Sequence, residues 1–139
     1  MFHPTPRYFR KVNRHVYRTT YENKSNQLRF GTHGLQAIEN GFLTTRQLEA
    51  IRRTLSSRLK RKGKIWLRAI PDHPRTAKPK EVRRGRGKGA VEDWVAVLKP
   101  GRILVEVAAS SRDEGRIREA LLFAKRKLPV FAQIVTRQI

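Results

Sequence analysis

The sequence has no cysteine at all, which removes disulfides, thiolate zinc sites and cysteine nucleophiles together. Acidic residues are scarce, with 11 Asp and Glu among 139 residues. No apolar run approaches the roughly 18 residues that a membrane-spanning helix needs, so no membrane partner is expected. Catalytic constellations are equally thin. His3, His15, His33 and His73 lack metal-ligand spacing, and no G-x-S-x-G elbow occurs. Asp72-His73 and Glu92-Asp93 imitate acid–base pairs. Asp72, between Pro71 and Pro74, is more simply a turn residue, and Glu92-Asp93 a strand start. No catalytic residue, metal or cofactor is expected.

What the chain does have is positive charge. Its 32 Lys and Arg leave a net of +21, a self-repulsion that a polyanionic partner relieves. Arg outnumbers Lys 21 to 11, which favours planar, bidentate recognition of phosphate. Residues 1–90 hold 23 basic against 5 acidic side chains, a net of +18, while residues 91–139 hold 9 against 6, a net of +3. The C-terminal part therefore has the balance of ordinary fold, and the N-terminal part that of a binding surface.

Three basic blocks make up that surface. Residues 1–26 carry Arg7, Arg10, Lys11, Arg14, Arg18 and Lys24 against Glu22 alone, with Tyr8, Tyr17 and Tyr21 interleaved. Cations for phosphates and rings for unpaired bases are the usual pairing in RNA binders. Pro4, Pro6 and the lack of any period make it an extended arm, distinct from one α/β domain over 27–139. A transit peptide is the competing reading of such an Arg-rich, acid-poor stretch. The second block is a helix. Thr44 and Gln47 fit a capping box, and Leu48, Ile51, Leu55 and Leu59 form one stripe for a core. Arg46, Arg53 and Lys60 fall opposite that stripe, and seven basic residues lie from Arg52 to Lys64, among them Arg61 and Lys62.

Elsewhere the periodicity predicts β pieces between Leu28 and Leu43, strands over 65–70 and 92–98, and a return strand over 103–107. Lys99-Pro100-Gly101-Arg102 suits a type II turn joining the last two as a hairpin. A second helix carries Ile117, Leu121, Ala124 and Leu128, with Ser111 and Glu114 as a possible capping box and Pro129 as its stop. Residues 130–135 offer a final strand. The fold class is α/β (α+β), a two-layer sandwich of two helices on a largely antiparallel or mixed sheet.

The third block is a long loop. Residues 71–90 hold only Ala77, Val82 and Ala90 as apolar side chains, and carry Arg75, Lys78, Lys80, Arg83, Arg84, Arg86 and Lys88. Loops of this length in compact domains are usually functional or disordered. Glycines between cations, at 85, 87 and 89, let the backbone approach a ligand closely. Gly85 to Ala90 formally matches the dinucleotide pattern G-x-G-x-x-A, but it precedes a strand instead of following one, so the match is rejected. A finger that becomes ordered inside folded RNA is the expectation.

The run Phe30-Gly31-x-x-Gly34-Leu35-x-Ala37, then Gly41-x-Leu43-Thr44-x-Arg46-Gln47-Leu48-Glu49-Ala50-x-Arg52-Arg53, resembles the bacterial-type large-subunit ribosomal protein family numbered sixteen. The likeness continues through Gly63 to Arg68, Pro71-Asp72-x-Pro74-x-Thr76-x-Lys78-Pro79, Arg83-x-Gly85-x-Gly87-Lys88-Gly89, Trp94-Val95-Ala96, Lys99-Pro100-Gly101 and Lys127-Leu128-Pro129. The resemblance implies a non-catalytic protein that binds large-subunit ribosomal RNA near the base of the central protuberance and joins late in assembly. It also implies that the protein helps shape the aminoacyl-tRNA site, its basic loop reaching towards the peptidyl transferase region. Partners would be that RNA, tRNA in the aminoacyl site and neighbouring large-subunit proteins. On this reading Arg83, Gly85, Gly87, Lys88 and Gly89 belong to the loop, and Arg46, Arg52 and Arg53 to the RNA-binding helix.

Two departures stand out. The family arm usually reads Pro-Lys-Arg-Thr-Lys-Phe-Arg-Lys, of which only Pro4 and Phe9-Arg10-Lys11 match, and Arg84 replaces a usual Met. The divergent arm points to an organellar, mitochondrial ribosome, with a bacterial one as the alternative. An intact Met1 then points to synthesis inside the organelle. The competing function is an RNA-processing enzyme or RNA chaperone acting on structured RNA.

Overall fold

Thr44 starts the first helix as the capping box requires. Its hydroxyl accepts the Gln47 N–H at 3.3 Å, and the Gln47 side chain accepts the Thr44 N–H at 3.0 Å. The helix, α1 (Thr45–Arg58), then buries Leu48, Ile51 and Leu55, with Leu59 at its C-cap. This is the expected stripe, all of it removed from water. The computed structural model describes residues 11–12, 20–108 and 113–137. Most of the basic arm, including Arg7, Arg10, Arg14, Tyr8 and Tyr17, lies outside the described residues.

Seven strands form two antiparallel sheets among the described residues. The larger contains β1 (His33–Ala37), β3 (Lys64–Leu67), β6 (Ile103–Ala108) and β7 (Ala132–Thr136), in the order β3-β6-β1-β7. The smaller contains β2 (Gly41–Thr44), β4 (His73–Ala77) and β5 (Ala90–Leu98), in the order β2-β5-β4. α2 (Glu114–Lys125) lies on β1 and β7, and α1 packs on α2 and against β2, β3 and β5. Leu35, Leu43, Leu98, Leu104, Ile117 and Leu121 close the space between. The α+β class expected from the sequence is the class found.

Three expectations change. β5 and β6 are not a hairpin: they belong to different sheets. The turn between them is nevertheless the expected one, with Gly101 at φ 87° and the Arg102 N–H on the Lys99 carbonyl at 3.1 Å. A type II turn does not match the twist of paired strands and splays them, so here it sends the chain from one sheet to the other. Residues 71–90 are also not one loop. Residues 73–77 form β4, paired with β5 from His73↔Val95 to Ala77↔Ala90, which leaves a twelve-residue finger over 78–89. Arg75 therefore sits on a strand, 3.7 Å from Glu92, not in the finger. Finally, α2 starts at Glu114 with Asp113 in the N-cap position and no side-chain cap bond, while Ser111 lies outside the described residues.

The end of the arm is seated on the domain. The Glu22 N–H donates to the Pro100 carbonyl at 2.8 Å, and the Ile103 N–H to the Ser25 carbonyl at 2.8 Å. The Tyr21 ring lies over Gly101, so close that a Cβ there would stand 2.4 Å from it.

Candidate nucleic-acid interface

The face of α1 opposite its buried stripe carries Arg46, Arg53 and Lys60, all exposed, with Arg52 half-buried beside them. No acid stands in the first turn of the helix, where Arg46 faces the positive end of the dipole. Such a placement does not help the helix and leaves the cation to an outside anion. After Leu59 the chain turns sharply. Lys60 (φ 49°) and Arg61 (φ 61°) both take the left-handed conformation, which costs a residue with a Cβ on the order of 1 kcal/mol. Backbone bonds hold the turn: Lys60 N–H to Ser57, Arg61 N–H to Ser56 and Lys62 N–H to Leu59, at 3.1, 3.0 and 2.8 Å. The result is a shallow groove lined by Arg52, Arg53, Ser56, Ser57, Lys60 and Arg61. Guanidinium forks, which only donate, and hydroxyls, which can donate, suit a ligand rich in acceptors, as phosphate oxygens are.

Glu49 is the residue of this face that charge counting passes over. It accepts both Nε and Nη2 of Arg52, at 2.9 and 2.8 Å, and Nε of Arg53 at 2.9 Å. The hydrogen bonds from Arg52 and then Arg53 lower its carboxyl to about 2. It stays ionised throughout the neutral range and fixes two guanidiniums side by side, each with unused donors. The i,i+3 and i,i+4 spacing of Glu49 to Arg52 and Arg53 is the signal that could have revealed it.

This geometry separates fold from binding. Leu55→Ala, at a position with no solvent exposure, should destabilise the protein by about 2–5 kcal/mol. Arg53→Ala, its side chain 75% exposed, should shift stability by no more than about 0.5 kcal/mol while weakening RNA binding. Thermal melts and RNA titrations of both variants check this, and equal melting losses would mean that the helix faces the other way.

The finger over 78–89 is exposed almost throughout. At its tip Gly85 (φ 117°), Arg86 (φ 53°) and Gly87 (φ 77°) are consecutive left-handed residues, and a Cβ on either glycine would meet nothing within 4 Å. Glycine here serves the backbone path and not close packing. Lys78, Lys80, Arg83, Arg84, Arg86 and Lys88 all project from this segment, and Lys78 Nζ folds back on the Gly85 carbonyl. At its base the finger meets the arm: Lys11 Nζ donates to the Lys88 carbonyl at 3.0 Å, and Lys88 Nζ to the Val12 carbonyl. Two of the basic blocks thus touch.

Asp72 is exposed, His73 lies in β4, and Asp93 accepts its neighbour's N–H, that of Trp94, at 2.8 Å. Among the described residues no cluster of His, Cys, Asp and Glu suits a metal ion, and no helix is long and apolar enough to cross a membrane.

The model of the family described as ribosomal protein L16p/L10e matches residues 4–135. The chain belongs to that family. As a member of the L16p/L10e family it is a structural ribosomal protein and not an enzyme, which removes the RNA-processing alternative. Curated relatives agree. The chain is 49% identical over 116 residues, 84% of each chain, to the large ribosomal subunit protein uL16c of Gracilaria tenuistipitata. It is 50% identical over 114 residues, 82% of each chain, to uL16 of Buchnera aphidicola subsp. Cinara cedri. To uL16 of Vibrio cholerae it is 46% identical over 139 residues, all of this chain and 99% of the relative. That last alignment spans the full length of the chain, the arm included.

Proposed function

We propose that the chain is a constituent of the large ribosomal subunit that docks in ribosomal RNA through two surfaces and presents a third to tRNA. The docking surfaces are the basic arm, 1–26, and the outer face of α1 with its turn: Arg46, Arg52, Arg53, Lys60, Arg61 and Lys62. The third surface is the finger, whose cations help shape the aminoacyl-tRNA site. The observation that carries this reading is the division of labour in α1, a fully buried apolar stripe on one side and a groove of donors on the other. Arm and domain are two parts, 1–26 and 27–139, joined where Tyr21 and Ser25 sit on the turn before β6. The ribosome is of bacterial type. The plastid and bacterial relatives lend the mitochondrial compartment no support.

Binding of the full chain to a transcript of large-subunit RNA tests the docking. With a net charge of +21, log affinity should fall steeply against log salt, by roughly 0.7–0.9 per phosphate neutralised. Co-sedimentation of the tagged chain with large subunits should accompany it. A flat salt response would put recognition on something other than the basic blocks.

A further inference from the structure

Phe30 is 58% exposed, yet its backbone is tied to the buried core. The three successive N–H groups of Arg29, Phe30 and Gly31 all donate to one carboxylate oxygen of Glu106, at 3.0, 2.7 and 2.8 Å. Glu106 is completely buried in β6, and its other oxygen takes the guanidinium of Arg68. Gly31 runs so near β6 that a Cβ would stand 2.7 Å from the Val107 carbonyl, so the segment sits flush on the strand. The Phe30 ring stacks on Trp66, centroids 6.0 Å apart and planes 22° from parallel. Arg68, also bonded to the Gln27 carbonyl at 2.9 Å, holds its guanidinium 5.8 Å from the Phe30 centroid. Trp66 lies on β3, an edge strand; exposed Lys64 stands two residues before it and exposed Arg29 immediately precedes Phe30.

We infer that Phe30, backed by Trp66 and flanked by Arg68, is a stacking platform for one unpaired base of the large-subunit RNA. A rigid exposed ring beside a guanidinium plane, with cations for the adjoining phosphates, is what a splayed-out base recognises. A buried carboxylate with four donors fixes the platform before RNA arrives, so little ordering cost remains at binding. This inference rests on the RNA-binding reading above and adds a neutral contact that the basic blocks do not provide.

The test measures affinity of the full chain for a large-subunit RNA transcript across a salt series. Phe30→Leu keeps apolar cover over Trp66 but lacks the π face, and should bind about tenfold more weakly at every salt with an unchanged slope. Phe30→Tyr should bind like the unaltered chain. Full affinity in Phe30→Leu would overturn the platform and leave the ring to a protein neighbour. Equal losses in both variants would overturn it too, since the ring would then matter only for local packing. Absence of any salt-dependent binding by the unaltered chain would instead defeat the RNA reading on which the platform stands.

Discussion

Glu106→Ala should lower stability by about 3–5 kcal/mol, the usual cost of removing one partner of a buried ion pair. The carboxylate accepts three amides and the Arg68 guanidinium with none of its surface open to water. Alanine leaves all four donors facing a cavity, whereas Glu106→Gln keeps a carbonyl acceptor and should fall between. Burial pushes the Glu106 carboxyl up, but the hydrogen bonds from Gly31, Arg68, Phe30 and Arg29 outweigh it and hold the carboxyl below its ordinary value. A carboxylate depressed on folding stabilises the protein above its unfolded value, near 4.3, and that contribution fades as the pH drops through the lower folded value. Urea melts should therefore separate the native chain from Glu106→Ala widely at neutral pH. The gap should narrow as the solution is acidified below the unfolded value. A gap independent of pH would mean that shape, not charge, sets the residue's contribution.

No local pattern announces Glu106. It sits between Val105 and Val107 in a strand that its apolar run identifies easily, and its acceptor duties come from residues 38 and 75–77 positions away. Local regularities, by contrast, carried over well. The capping box at Thr44, the stripe on α1 and the positive φ of Gly101 each depend on neighbours within one turn of chain, and each is present. Sequence and structure part where the sheets decide. Pro71, Asp72 and Pro74 look like strand breakers, but β4 is the edge of its sheet, where a proline lacks no needed bond. Likewise the turn before β6 was identified by its residues, while its consequence depended on which strands lay waiting on either side. For the interface, exposed cations on α1 were legible from helical periodicity. The clasp of Glu49 on Arg52 and Arg53 shows in the i,i+3 and i,i+4 spacing and not in the block charge.

Removing Arg83, Arg84 and Arg86 together should still allow incorporation into large subunits but slow dipeptide formation. The finger is too polar to serve the core, and a Cβ on either tip glycine would meet nothing within 4 Å, so its shape serves no packing purpose that the variant would disturb. On the proposed reading, docking draws on the arm and on α1 with its following turn, where many cations remain, and each surface contact is individually replaceable. The proposed positioning of tRNA is different. It depends on cations held at set distances from a substrate, where a displacement of about 1 Å can cost about a hundredfold in rate. The finger is also anchored at its base, because Lys88 and Lys11 exchange bonds with the backbone across the arm. For that reason the triple substitution spares Lys88 and alters only the tip side. The measurement is dipeptide formation by purified mutant ribosomes, with incorporation followed in the same preparations. Full incorporation with an unchanged rate would make the finger an anchor, and failed incorporation would show that docking depends on it more than on α1.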